Sequence, residues 1–320
     1  MSPRPFWTAI AGSVAILVVV ALAAPLIGST HIDYERAWNG LSPDREILAA
    51  VRLPRVLLAL IAGGTLALTG VLFQALLRDS LAEPYTLGVS SGSALGAVLA
   101  ICFGWSAVWP SAFVGAAITL VVVLGIAFER RKLSSFTLLL AGVSINSIAM
   151  ASILFLHNVA TFAQSFAITR WLMGGLDSLP FPVLGGLAAT VLPLCAIVFW
   201  QARHWNLMAV GEEWATARGV SASKLMVAGY IGGSIMTAAI TAFTGPIGFI
   251  GLIVPHALRL VVGADHRVLI PCSFLIGAAF LIVCDTLART ILAPVEIPVG
   301  VITAMLGGPF FLWLLRGQHR

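Results

Sequence analysis

Eight stretches of this chain carry no Asp, Glu, Lys or Arg: residues 5–32, 56–77, 84–128, 133–169, 178–202, 225–258, 268–284 and 297–315. An apolar helix of roughly 20 residues crosses the hydrocarbon core of a bilayer. Runs 84–128 and 225–258 are each long enough for two such helices, and 133–169 for one helix plus a wet segment. In lipid, only helices and closed barrels satisfy every backbone polar group. Barrel strands alternate apolar and polar residues, whereas these runs are apolar throughout. The pattern predicts an all-α, polytopic helical membrane protein with about ten transmembrane helices. They are placed near 7–27, 48–77, 86–103, 110–128, 136–156, 181–201, 224–243, 247–262, 268–292 and 297–315, within one transmembrane domain spanning 1–320.

Only 10% of the 320 residues are charged and mean hydropathy is +1.02. Soluble domains carry about 25% charged residues and disordered chains are polar, so both classes are excluded. The net charge of +5 would suggest nucleic acid in a soluble protein. Here the basic residues cluster at span ends, which is a topology signal, and no nucleic-acid partner is expected. Cys102, Cys195, Cys272 and Cys284 lie in apolar runs without CxxC spacing, which points to packing rather than disulfides or metal.

Ten spans put both termini on one side. With the termini cytoplasmic, the inner face carries Arg4, Arg78, Arg130, Arg131, Lys132, Arg203, Arg218, Lys224, Arg259, Arg267, Arg316 and Arg320. The outer face carries Arg36, Arg45, Arg52, Arg55, Arg170 and Arg289. Twelve against six follows the positive-inside rule. Ala21-Leu22-Ala23 resembles a signal-peptide cleavage site, but the apolar stretch runs on to Gly28 and reads as a span. Gly88, Gly92 and Gly96 recur at four-residue spacing, which lets helix backbones approach closely. Gly245, Pro246, Gly248, Gly251 and Pro255 interrupt an apolar run. They predict a broken helix, tolerated at membrane depth only if buried in protein or facing a cavity.

The chain holds neither a nucleotide-binding motif nor a clear proton-coupling acid. A P-loop needs Lys after Gly, and the two lysines, Lys132 and Lys224, follow Arg131 and Ser223. Motifs of the HExxH and paired-carboxylate types are missing too, so an enzyme is not expected. Asp285 is the deep acid. It reads either as an ion pair with Arg289 one turn on or as the proton relay of a secondary transporter. The polar loop around 204–222 contains a predicted short helix between Gly211 and Gly219, with Glu212 and Glu213 at its start and Arg218 at its end, as a helix dipole favours. It is either a solvated linker or a docking helix for a cytoplasmic motor.

The motifs together resemble the permease subunits of ATP-binding-cassette importers for iron-siderophores, haem and cobalamin, the type II, FecCD-like importers. The resemblance rests on Arg52-Leu53-Pro54-Arg55, Gly70 and Gln74, Leu81-Ala82-Glu83-Pro84, Leu87-Gly88, Ser91-Gly92, Leu140-Ala141-Gly142-Val143 and Trp171-Leu172-Met173-Gly174-Gly175. It continues through Gly211-Glu212-Glu213, Ala215, Gly219-Val220, Gly245-Pro246-Ile247-Gly248-Phe249-Ile250-Gly251-Leu252, Pro255-His256, Arg259, Asp265-His266-Arg267, Glu296-Ile297-Pro298-Val299-Gly300, Thr303 and Gly307. Two positions depart from the family pattern. Asp79-Ser80 stands where Asn-Pro is usual, which puts an acid at the inner gate, and Arg218 stands where an apolar residue is commoner.

The resemblance implies a permease domain that forms a homodimer in the bacterial inner (cytoplasmic) membrane and moves a metal chelate inward along the dimer axis. Two cytoplasmic ATP-binding subunits, which hold ATP and Mg, would dock on Leu207, Gly211, Glu212, Glu213, Trp214, Arg218 and Gly219. No cofactor is expected in this chain. A periplasmic binding protein would dock on Arg52, Arg55 and Arg289; interfacial anchoring by snorkelling is the other reading of these arginines. Asp79 and Leu81 would sit at the gate. Asn146, Ser147 and Thr303 would line the path, or else bond neighbouring helices.

Overall fold

The computed structural model describes residues 3–28, 30, 32–129 and 132–318. His31, Arg130, Arg131 and Arg320 lie outside the described residues, as do the side chains of Arg4, Lys132 and Arg316. The described residues are all-α apart from one pair of two-residue strands. Its helices are α1 (Pro3–Ala23), α2 (Tyr34–Trp38), α3 (Asp44–Glu46), α4 (Leu53–Leu77), α5 (Val89–Cys102), α6 (Val108–Ala127), α7 (Ser135–Val159) and α8 (Phe162–Leu172). After these come α9 (Phe181–Trp200), α10 (Ala202–Val210), α11 (Glu212–Ala217), α12 (Ala222–Thr244), α13 (Ile250–Val262), α14 (His266–Thr290) and α15 (Val299–Gln318). Strands β1 (Phe128–Glu129) and β2 (Lys132–Leu133) pair antiparallel between α6 and α7.

Seven helical segments among the described residues are long and apolar enough to cross a membrane: Phe6–Leu26, Asp44–Leu77, α6, α7, α9, α12 and α14. Three apolar helices are shorter: Val89–Cys102, Ile250–Val262 and Val299–Trp313. The chain is a multi-pass membrane protein. A π-helical turn (Ile47–Arg52) joins α3 to α4 without a break. The wet segment after α7 is α8, whose capping box pairs Thr161 with Gln164.

Helix α4 is the central post. It packs against α14, α12, α13, α10 and α9, and 89% of its apolar window is buried, against 28% for each of α6, α7 and α9. Glycines set these crossings. A Cβ on Gly63 would lie 2.3 Å from the carbonyl oxygen of Gly277 on α14, and one on Gly70 would lie 2.0 Å from that of Gly251 on α13. The predicted stripe behaves alike: Gly92 meets Gly115 and Thr119 of α6, and Gly96 meets Ser111. With no hydrophobic force between helices in lipid, such close backbone approach carries the packing.

The predicted break is present. Helix α12 stops at Thr244, residues 245–249 are non-helical, and α13 begins at Ile250. Gly70 lies eight residues from the α4 end at Arg78, about 12 Å along the helix axis, so its neighbour Gly251 sits well inside the bundle. The exposed backbone of the break is satisfied by protein. Tyr85 Oη accepts from Ile247 N–H, Gln74 Nε2 donates to the Gly251 carbonyl at 3.0 Å, and Gly175 N–H donates to Thr244 O at 2.8 Å.

Candidate functional site

The bundle has two chemically distinct ends. At one, helices α10 and α11 stack on the ends of α4, α12 and α14. Helix α10 is anchored by Trp205, which is 1% exposed and donates its ring N–H to Val198 O at 3.0 Å, and by buried Met208. Leu207 is half-buried against the core. Asn206 donates to Asp265 Oδ1 at 2.9 Å and accepts from His266 N at 2.8 Å, tying α10 to the start of α14. Burial pushes the Asp265 carboxyl upward, but the donors on Asn206 and Arg267 outweigh it and hold the group below the ordinary carboxylate range.

The short helix expected between Gly211 and Gly219 is α11. Its end is a Schellman motif: Gly219 N–H donates to Thr216 O at 3.0 Å and Val220 N–H to Ala215 O at 3.0 Å. Gly219 has φ +80°, which glycine takes without steric cost. Ala215 is buried, which turns Glu213, Trp214 and Arg218 outward. Glu212 Oε1 pairs with Arg78 Nη2 at 3.1 Å. Arg78 closes α4 in the left-handed region at φ 54°. Together Arg78, Gly211, Glu212, Glu213 and Trp214 line a groove of about 870 Å³, and Trp214 is 59% exposed in it.

From Arg78 the chain turns at once. Asp79 Oδ1 accepts from Leu81 N–H at 2.9 Å, and the Leu81 side chain is exposed. The loop then runs inward to Glu83 and Tyr85, which meet residues 245–249. The Glu83 carboxyl faces Phe249 N–H, and its Oε2 is buried without a partner among the described residues. Phe249 itself has φ 70° and abuts Gly307 of α15. Sequence reasoning did not single out Glu83, Tyr85 or Phe249 as site residues. The signal was an acid beside Pro84 between two apolar runs, which reads as an ordinary surface loop.

At the opposite end lies a network of charges. Asp285 is 1% exposed and holds two arginines: Arg289 Nε at 3.0 Å and Arg55 Nε at 3.0 Å. Arg55 also reaches Glu296 Oε2 at 2.8 Å. Arg289 Nη1 donates to Ile27 O at 3.2 Å. Arg52 donates to Pro25 O at 2.8 Å and to Thr30 O. Arg52 and Arg289 are each 5% exposed, so their guanidiniums are spent inside the chain. Arg55 alone of the three borders a cavity of about 750 Å³, which is also lined by Trp109, Phe166, Arg170, Trp171 and Glu296.

The remaining path candidates are not brought together within one chain. Asn146 and Ser147 are exposed on α7, with Ser147 Oγ donating to Val143 O. Thr303 is fully buried on α15 and donates to Gly300 O at 3.0 Å. Helix α15 packs mainly on α13 and α14, and α7 on α5 and α6.

A glycine-packed helical bundle, a re-entrant break and a projecting amphipathic loop at one end define a multi-pass membrane protein of the transporter class. Residues 16–317 match the model of the FecCD transport family, and the chain belongs to that family. It is 38% identical over 319 residues to the hemin transport system permease protein HmuU of Yersinia pestis, covering 95% of this chain and 94% of that one. It is 41% identical over 276 residues to the cobalamin import system permease protein BtuC of Halobacterium salinarum, covering 85% and 74%. A solved structure described as an inward-facing conformation of a metal-chelate type ABC transporter superposes with a TM-score of 0.86 at 32% identity, covering 97% of this chain and 99% of that one.

Proposed function

We propose that this chain is the permease subunit of an ATP-driven importer for a metal chelate (an iron-siderophore, haem or cobalamin), and that it works as a homodimer in a bacterial inner membrane. Its ten spans are the seven long helices with α5, α13 and α15. Both termini and the α10–α11 end face the cytoplasm, and the Arg55 end faces outward. Two ATP-binding subunits dock on the Trp214 groove and supply ATP and Mg chemistry. A periplasmic binding protein delivers substrate to the opposite end, and the path follows the dimer axis past Asn146, Ser147 and Thr303, with Asp79 and Leu81 at its inner gate.

The observation that carries this reading is α11. Its buried Ala215 face fixes it to the bundle, while Glu212, Glu213 and Trp214 project around a groove that no described residue fills. A solvated linker has no need of a Schellman cap and an exposed tryptophan. A proton relay at Asp285 has no comparable support, because both carboxylate oxygens are engaged by arginine. Reconstitution with an ATP-binding subunit and a binding protein tests the proposal: uptake of chelate should require ATP hydrolysis. Uptake that persists without hydrolysis, or accumulation by this subunit alone, refutes it.

A further inference from the structure

Two non-helical segments enter the bundle from opposite ends. Residues 78–88 rise from the α11 end: Arg78 closes α4, whereas Gly88 abuts Gly142 of α7. Gly142 stands seven residues beyond Ser135, the first residue of α7, so this contact lies about 10 Å along that helix. Residues 245–249 descend from the Arg55 end: Thr244 and Gly245 line the same cavity as Arg55, whereas Gly251 lies beside Gly70 of α4. The two segments meet where Tyr85 Oη accepts from the Ile247 N–H. Ile247 is 0% exposed, so a buried amide depends on that hydroxyl. Pro84 lies against Gly251 beside it.

Each segment is tied at its far end. On the inner side Arg78 pairs with Glu212 of α11 at 3.1 Å, and Asp79 closes the turn onto Leu81. On the outer side a Cβ on Gly174 would lie 2.2 Å from the Pro246 carbonyl oxygen, one on Gly245 would lie 2.4 Å from that of Trp171, and one on Gly300 would lie 2.2 Å from that of Met173. Gly175 N–H donates to Thr244 O at 2.8 Å, and Gly300 N–H donates to Gly174 O at 3.3 Å. Backbone packed this closely moves as one piece. A continuous route therefore runs from α11 through residues 78–85 and 247–244 to the end of α8 and the start of α15. Coupling between distant sites needs such a contiguous set of contacts with two arrangements. The outer part of the route is backbone against backbone, the inner part begins at an exposed ion pair, and the Tyr85 hydroxyl joins the two.

We propose that Tyr85 is a positioning residue for transport: its hydroxyl joins the two re-entrant segments, so that movement imposed on α11 reaches the rim of the outer cavity. The inference rests on the importer reading and adds a residue to it. Hydrogen exchange read by mass spectrometry tests it on the permease with its ATP-binding subunit in nanodiscs, resting or trapped with ATP and vanadate, and needs no cargo. In the wild type, trapping should change exchange at 78–85 and also at 173–176, where the Gly175 amide reports the joint to Thr244. Tyr85→Phe removes only the hydroxyl. The change at 78–85 should remain, while the change at 173–176 should shrink about fivefold, the equivalent of one net hydrogen bond. A tyrosine that merely stabilised the fold would, when lost, speed exchange in both states and leave the difference between them intact. Tyr230 is also buried, and its Oη has no hydrogen-bond partner among the described residues, so Tyr230→Phe should behave as wild type. Arg78→Ala cuts the route at its exposed inner end and should shrink the same difference, which covers the case in which Tyr85→Phe folds poorly. An undiminished difference at 173–176 in Tyr85→Phe, or in Arg78→Ala where Tyr85→Phe gives no folded complex, overturns the proposal. So does a wild type in which trapping alters 78–85 and leaves 173–176 unchanged. A wild type in which the ATP-binding subunit fails to protect 211–219 refutes the importer reading itself, and this inference with it.

Discussion

The guanidinium of Arg55 and the carboxylate of Asp285 lie 3.0 Å apart across α4 and α14, although 230 residues separate them in the chain. Arg289 takes the second oxygen of the same carboxylate. The ion pair closes the end of the α4–α14 contact, with the Gly63–Gly277 crossing further along it. Asp285→Ala leaves Arg289 without its anion and Arg55 with Glu296 alone. Removing one partner of a buried pair costs about 3–5 kcal/mol, so a large fall in Tm and in monodisperse yield is expected in detergent. Asp285→Asn keeps an acceptor and should fall less. An unchanged Tm in the Ala variant would show that water or lipid already screens the pair.

Glycine crossings give a sharper test of packing. Gly70→Ala would place a methyl 2.0 Å from the Gly251 carbonyl, against backbone that cannot move aside cheaply. Overpacking costs about 1–3 kcal/mol or more, and here α4 and α13 must separate. Gly125 on α6 has nothing within 4 Å of its Cβ position, so Gly125→Ala should be neutral or slightly stabilising, since alanine is the better helix former. Thermal melts of the two variants side by side are the measurement. Similar Tm values would mean that the α4–α13 contact is loose.

Much of this architecture was legible in charge spacing, because burying a charge in lipid is so costly that its absence marks each span. The Asp285–Arg289 pair was legible from i,i+4 spacing alone. The third member, Arg55, was not, since nothing local links residue 55 to 285. Helix ends were less visible. The predicted span 86–103 begins instead at Val89 and 247–262 at Ile250, because the residues before them pair with each other across the bundle, through Tyr85 and Ile247. That pairing is non-local and leaves no periodicity. The same blindness affected the arginines: Arg52, Arg55 and Arg289 look equivalent as span-end cations, yet only tertiary structure shows two of them spent on internal oxygens.

The groove beside α11 separates docking from stability. The Arg78–Glu212 pair is exposed on both sides, and such pairs are worth about 0–1 kcal/mol. Arg78→Ala should therefore leave Tm nearly unchanged. Trp214→Ala removes an exposed aromatic anchor of the kind that dominates interfaces, at about 2 kcal/mol or more. Affinity for the ATP-binding subunit should fall about 30-fold with no loss of folded permease. Pull-down titration alongside a melt checks both. Wild-type affinity in Trp214→Ala combined with Glu212→Ala and Glu213→Ala would reduce the loop to a linker.

At the opposite end, Glu296 occupies Arg55 while itself half exposed, at 50%. An acidic group on a docking protein would have to displace it. Glu296→Gln frees the outer half of the guanidinium without touching Asp285. Binding-protein affinity should rise about fivefold at low salt, the equivalent of about 1 kcal/mol, and Arg55→Glu should lower it. Both effects should fade toward 1 M salt, where the screening length is about 3 Å. Arg52→Glu and Arg289→Glu should instead reduce folded yield, because each buries an acid against the carbonyl oxygens its arginine now satisfies. Surface plasmon resonance across a salt series distinguishes these cases. Equal affinity for Glu296→Gln, Arg55→Glu and wild type at about 20 mM salt, where screening is weak, would remove Arg55 from the docking face.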